Sequence, residues 1–238
     1  MVSETRFSPS AGHHLRHRAE EYSFRKQAEG VVHRLSALDS PVLDLGCGTG
    51  PLTPTLQSAD LELRGVDLDF AMLQGAVRRA GCRPGQFVLA DARALPFPSG
   101  AFGAVASLGL FEYLPEPVAV MVEIGRVLRP GGRFLMTVPR LGAPYRKALT
   151  LVSPIVAAIR RPDPFDLQAG HPPTHDVVAA WAARSGFESV ERTPLSPQVL
   201  PWPLDRLAPG LALKLARRAG PLWATVELFT MARRSPDA

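Results

Sequence analysis

The chain has 238 residues, of which 46% are apolar, and a formal net charge of +5. That length suits one α/β domain with an elaboration, and the apolar share is enough for a full core. The two cysteines, Cys47 and Cys82, exclude a disulfide framework and fit a reducing cytosol; no secretory apolar core stands at the N-terminus, and no run of about 18 uncharged apolar residues is present to span a membrane.

Residues 1–12 read as disordered, and residues 15–38 as one or two helices that cover a sheet. His13, His14 and His17 have no carboxylate or cysteine partner at ligand spacing, so a solvated segment is favoured over a metal site. Val42 to Leu45 is a short apolar run that reads as a buried parallel strand. It ends in Gly46-Cys47-Gly48-Thr49-Gly50, where the backbone takes φ > 0 and a ligand approaches without meeting a Cβ. Asp44 sits inside that apolar strand end, where an unpaired carboxylate is costly and calls for a partner. The dinucleotide fingerprint Gly-x-Gly-x-x-Gly fails at Pro51 and Thr53, and no Gly-Lys-Ser/Thr follows for a P-loop. Thr53 is expected to cap a helix that begins at Pro54.

Leu63 to Asp67 reads as a second strand ending in an acid, about 20 residues after the glycine loop, the spacing at which an acid reaches a ribose hydroxyl. Phe87 to Asp91 repeats the pattern. Either acid alone is more simply a helix cap. Three acids at three successive strand ends converge on one edge of a parallel sheet, which favours a ligand site. Ala101 to Ser107 reads as the fourth strand, 117–129 as a helix packed on the sheet, and Val127 to Val138 as a helix end, a Pro-Gly-Gly turn and the fifth strand.

Residues 139–173 are long for a connection and rich in proline and apolar side chains, which makes them a candidate substrate lid at the carboxyl edge. Thr174 is a plausible N-cap with Asp176 in the first turn, for a helix to about Ser185 that ends at Gly186. Strands are expected at 188–193 and 224–231. Between them, 194–223 carries Leu204, Leu207, Leu211 and Leu215 at helical spacing with Arg206, Lys214, Arg217 and Arg218. A surface helix packed on the domain is the simpler reading; a basic amphipathic helix lying on a membrane or covering an apolar substrate is the alternative.

The order acid, one residue, Gly-x-Gly-x-Gly in Val42-Leu-Asp-Leu-Gly-Cys-Gly-Thr-Gly50 resembles motif I of the class I S-adenosyl-L-methionine (SAM) methyltransferases, specifically the small-molecule, quinone-biosynthesis-like (type 11) branch. The resemblance covers residues 20–140 well. It implies a Rossmann-like, seven-stranded, mostly parallel sheet with helices on both faces, an antiparallel last strand and a helical lid. It also implies one methyltransferase domain over 1–238: an N-terminal helical segment 1–40, a SAM-binding core 41–140, and insertions 141–173 and 194–223.

Carried over from the family, Gly46, Gly48 and Gly50 would let the backbone approach the methionine and ribose portions, with Cys47 between them. Asp44 would orient the loop or the cofactor amino group. Asp67 would accept both ribose hydroxyls, Leu68 and Met72 would flank the adenine, and Asp91 and Ala92 would lie beside its amino edge. Tyr22 would close over the cofactor, with packing against the sheet as the alternative, and Ser107 and Phe111 would border it after the fourth strand, with Tyr113 beside the pocket. The cytosine and amino base-methylating motifs are missing: Ser107-Leu-Gly-Leu110 stands where Asn/Asp-Pro-Pro-Tyr/Phe would be, and no Pro-Cys occurs. A small-molecule methyl acceptor is therefore expected, methylated on oxygen or carbon, in a cytoplasmic protein. Membrane-associated quinone or lipid methylation, and SAM binding without transfer, are the alternatives. Because the sulfonium methyl is already activated, alignment carries most of the chemistry and a base is needed only for a tightly held proton. His171, His175 and Glu112 are weak candidates for one, and no catalytic residue or metal is assigned.

Overall fold

The computed structural model describes residues 18–36, 39–80, 85–140, 172–197 and 209–234. The N-terminal histidines, Cys82, His171, Leu204, Arg206, Leu207 and nearly all of the expected lid at 141–173 lie outside them.

Seven strands form one sheet among these residues: β1 Val42–Leu45, β2 Leu63–Asp67, β3 Phe87–Leu89, β4 Phe102–Leu108, β5 Leu128–Pro139, β6 Phe187–Pro197 and β7 Ala224–Arg233. Their spatial order is β3-β2-β1-β4-β5-β7-β6. The first five run parallel, and β7 is antiparallel to both β5 and β6. The α/β architecture and the antiparallel last strand agree with expectation. From β1 the chain lays β2 and β3 on one side and then returns to lay β4 and β5 on the other. The β1/β4 boundary is thus the topological switch point, where open α/β sheets bind their ligands.

Strand alternation sorts the side chains. Leu43, Leu45, Val105, Phe134 and Met136 face a core shared with helices α4 (Pro117–Val127) and α5 (His175–Arg184). Val42, Ala104, Ala106, Leu135 and Leu228 face the other way, against helix α1 (Arg18–Val32) through Ala28 and Val31, and against α2 (Thr53–Ser58) through Leu52 and Leu56. Helix α3 (Phe70–Ala80) flanks β2 and β3, and α6 (Pro209–Arg218) packs on α1 and β6. Short 3-10 turns lie at Phe111–Tyr113 and Pro221–Trp223.

Three local expectations need correction. Helix α2 begins at Thr53 itself, with Leu52 as its N-cap in an αR conformation and no side-chain cap. Pro54 is accommodated because the first helical N–H groups have no intrahelical acceptor, so its missing donor removes no bond. Strand β3 stops at Leu89, two residues short of Asp91. The Pro130-Gly131-Gly132 turn is absorbed into β5: partners move from Leu128 to Arg133 while β4 advances only from Phe102 to Ala104. Gly131, at φ +71°, takes the left-handed conformation this irregularity requires. By contrast the N-cap at α5 is as expected, with the Thr174 hydroxyl accepting from Val177 N at 3.5 Å.

Candidate cofactor site

The glycine loop leaves β1 at the switch point with Gly46, Gly48 and Gly50 all at positive φ (71°, 53° and 69°). Gly46 N and Cys47 N both donate to the Val66 carbonyl, at 2.8 and 2.9 Å, and Gly50 N closes the turn onto Cys47 O at 2.9 Å. A Cβ on Gly48 would meet nothing within 4 Å, so its backbone lies open on one side. Helix α3 comes so close to the loop that a Cβ on Gly75 would stand 2.9 Å from the Thr49 side chain.

The acid at the end of β2 holds the loop. Asp67 Oδ2 accepts from Gly48 N at 2.8 Å, and Oδ1 accepts from Asp69 N at 2.9 Å. Each oxygen keeps a second acceptor direction for a ligand hydroxyl. Burial raises the Asp67 carboxyl above its usual range, an effect opposed by those backbone donors and reinforced by the neighbouring Asp69 charge. Asp44 pairs with Gly65 in the β1/β2 register, two residues below Asp67, and period-two alternation puts both acids on one face of the sheet. Asp44 is 2% exposed, and its Oδ2 has no hydrogen-bond partner among the described residues. Burial, and then the Asp67 charge, push its carboxyl up to about 7.

Cys47 is buried against Gly65, where an added Cβ would lie 3.0 Å from its Sγ. Burial pushes its thiol far up, so it fills space and is no nucleophile. Leu68 projects 72% exposed at the lip, and Met72 is half-buried in the first turn of α3. Sequence reasoning missed two neighbours. Phe70 is 62% exposed beside Leu68, and Asp69 Oδ1 accepts from Ala71 N at 2.7 Å and so caps α3. The Asp-x-Asp-Phe order was the available signal.

Asp91 is present at the edge but is not an open acceptor. Arg93 clamps its carboxylate through Nη2 at 2.7 Å and Nε at 3.1 Å, and reaches Glu116 with Nη1 at 3.1 Å. That pairing holds the Asp91 carboxyl below the usual carboxylate range. Ala92 packs half-buried against the core. Ser107 is fully buried at the end of β4, and its Oγ lacks a partner among the described residues.

Phe111 is corrected. The 3-10 turn after β4 drives its ring into the core, 2% exposed, with centroids 5.5 Å from Phe134 and 6.4 Å from Trp181. Tyr113 is half-buried two residues on. Tyr22 lies on α1, its side chain outside the described residues. Glu112 is half-buried near Gly109, with Oε1 3.8 Å from where a Cβ on that glycine would sit. His175 opens α5 with its ring stacked 6.0 Å from Phe229 and Nδ1 3.5 Å from Asp176 Oδ1. No group of three or more metal-ligating side chains occurs among the described residues.

A methyltransferase-domain family profile matches residues 43–136, the span from β1 to the middle of β5. The demethylmenaquinone methyltransferase of Clavibacter sepedonicus is 31% identical over 170 residues, covering 65% of this chain and 68% of that protein. The chain belongs to the SAM-dependent methyltransferase family. A malonyl-[acyl-carrier protein] O-methyltransferase from Alcanivorax borkumensis is 41% identical over 104 residues, 42% of this chain and 35% of that enzyme. The chain thus spans about a third to three-fifths of the length of the first curated relatives it matches. In fold it resembles the Thermotoga maritima structure described as a SAM-dependent methyltransferase, possible histamine N-methyltransferase, with TM-score 0.64 and 14% identity over 91% of each chain.

The cofactor of this family is SAM, and the residues of this site fit it. A buried carboxylate oxygen without a partner suits a cationic amino group, the open Gly48 backbone leaves room for a ligand, and Asp67 retains two acceptor directions.

Proposed function

We propose that this protein transfers the methyl group of SAM to a small, apolar acceptor on oxygen or carbon. The observation that carries this reading is Asp44, a buried carboxylate with an unpartnered oxygen on the same sheet face as Asp67, beside a glycine loop held open by positive φ. SAM, when bound, supplies a methyl on a positively charged sulfur that needs no further activation. The chain's own residues bind and orient. Gly46, Gly48 and Gly50 admit the methionine and ribose portions, Asp44 takes the amino group, and Asp67 takes the ribose hydroxyls. Leu68 and Met72, with Phe70 at the lip, flank the adenine, and Ala92 borders its edge. Asp91 orders that corner through Arg93. Cys47 and Ser107 shape the floor, and Tyr22 closes over it.

The apolar acceptor is supported by the composition of 141–173 and 194–223, which we read as lid and substrate insertions of a single domain. Of the named relatives, the demethylmenaquinone methyltransferase supports an apolar acceptor, and the malonyl-[acyl-carrier protein] O-methyltransferase supports transfer to oxygen. The cysteine usage fits a cytoplasmic protein.

The test is titration calorimetry with SAM, followed by incubation with a panel of quinols, phenols and fatty-acyl carboxylates. Saturable binding and formation of S-adenosylhomocysteine with a methylated acceptor are expected. Binding without any methylated product across the panel would replace the reading with a SAM-binding protein that does not transfer.

A further inference from the structure

Outside the cofactor site itself, helix α6 presents a surface that is both apolar and basic. It packs on α1 and β6, and Ala216 is buried at 5% exposure. At 3.6 residues per turn, Leu211, Lys214 and Arg218 fall within about 60° of one another on the side opposite Ala216. Lys214 and Arg218 are exposed, and Leu211 is 52% exposed. The following 3-10 turn adds Leu222, 67% exposed. Its position is fixed: Arg140, the residue after β5, donates through Nη1 to the carbonyls of Pro221 at 3.0 Å and Leu222 at 3.4 Å. Leu222 therefore stands beside the carboxyl end of β5, on the same sheet edge as the glycine loop.

The charge of the segment is one-sided. Residues 209–223 hold three basic side chains (Lys214, Arg217 and Arg218) and no acid. Basic residues interleaved with exposed leucine are the composition of a helix that lies in a lipid headgroup region. A nucleic acid would engage the basic side chains but would gain nothing from exposed leucines.

We propose that α6 and the Pro221–Trp223 turn dock this protein on an anionic lipid surface. Leu211 and Leu222 enter the headgroup layer, and Lys214 and Arg218 pair with lipid phosphates. A single ten-residue helix gives reversible, salt-sensitive attachment. Docking turns the carboxyl edge of β5 toward the bilayer, so that an apolar acceptor passes from lipid to the site without crossing water. That last consequence rests on the methyl-transfer reading; the docking does not.

Co-sedimentation of the full chain with vesicles of three parts phosphatidylglycerol to one part phosphatidylcholine, against pure phosphatidylcholine, tests it without SAM or any acceptor. Binding to the anionic vesicles at low salt is expected, falling at least tenfold in 0.5 M NaCl. K214E/R218E should weaken it at least tenfold, and L211S/L222S severalfold at unchanged charge. R78E/R184E makes the same charge change at other exposed positions and should have a much smaller effect. Each variant should unfold thermally in the same single transition as the parent, which reports intact folding. No sedimentation with anionic vesicles, equal losses from the two charge-reversal pairs, or indifference to the leucine changes would overturn the proposal.

Discussion

Asp44 and Asp67 sit on one face of the sheet, and their differing partners lead to different expectations. The Asp67 carboxylate is already satisfied by two backbone N–H groups, so its removal costs chiefly the ligand contact and loop order. A charged hydrogen bond contributes about 1.5–3 kcal/mol. Asp67→Ala is therefore expected to weaken SAM binding by roughly 10- to 100-fold in calorimetry; unchanged affinity would remove Asp67 from the site. Asp44 behaves otherwise. Its carboxyl moves from 3.8 to about 7, so the folded state holds the proton more tightly than the unfolded chain. The stability this confers is fully present below pH 3.8, declines as pH rises toward 7, and is gone above it. Asp44→Asn, which fixes the neutral form, should raise the melting stability of the cofactor-free protein at pH 8 by on the order of 2–4 kcal/mol, and by clearly less at pH 5, while SAM affinity falls. Equal stabilisation at both pH values would show that the buried charge is not the cause. The positions of both acids were readable from spacing alone. The Arg93 clamp on Asp91 was not, because Arg93 also spans to Glu116, 23 residues away, and nothing in local pattern specifies that reach.

Two threonines show how far sequence rules carry at the scale of an element. Thr174 and Thr53 both stand at helix starts and look alike in sequence. Thr174 has extended backbone angles and caps α5 through Val177 N, whereas Thr53 lies inside α2, fully buried, with an Oγ1 that has no partner among the described residues. Thr174→Ala should cost about 0.5–1 kcal/mol in thermal unfolding, the lower part of the range for a lost cap. Thr53→Ser keeps the orphaned hydroxyl, whereas Thr53→Val replaces it with a methyl of the same shape and should be neutral or stabilising. A loss above about 1 kcal/mol in Thr53→Val would reveal a partner for that hydroxyl. The cap rule failed at Thr53 because the Leu52 carbonyl already accepts the first helical bonds, from Thr55 N and Leu56 N at 3.1 Å each, which makes Leu52 the N-cap and puts Thr53 inside the helix. Close packing also explains Gly65, a central β2 residue that propensity alone disfavours. A Cβ there would lie 2.4 Å from the Phe87 ring. Gly65→Ala should destabilise by about 1–3 kcal/mol, and Phe87→Leu should recover part of that loss in the double variant, as expected for an overpacking clash.

At the scale of the molecule, the hydrophobic runs and their end residues made the parallel half of the sheet readable, because each βα unit is a local event. The antiparallel half was less so. Strand β6 runs to Pro197 and β7 to Arg233, each longer than its apolar pattern, since pairing between them and with β5 fixes their ends. The consequence is a chain whose last strand is central. β7 lies between β5 and β6, pairing from Arg133↔Ala232 to Pro139↔Val226 on one side and from Phe187↔Arg233 to Pro197↔Ala224 on the other. Its Leu228 belongs to the α1/α2 core and its Phe229 and Met231 to the α4/α5 core, so both faces depend on it. Trimming a terminal strand at a sheet edge normally costs local order only, but removing β7 exposes two ladders and opens both cores at once. A chain ending at residue 220 should therefore lose cooperative thermal unfolding altogether, and the parent should melt in one transition that SAM shifts upward, by about 2.7 kcal/mol of stabilisation at a hundredfold excess over Kd. If the shortened chain melted cooperatively and still bound SAM, the cofactor site would fold without β7 and the single-domain reading would fall.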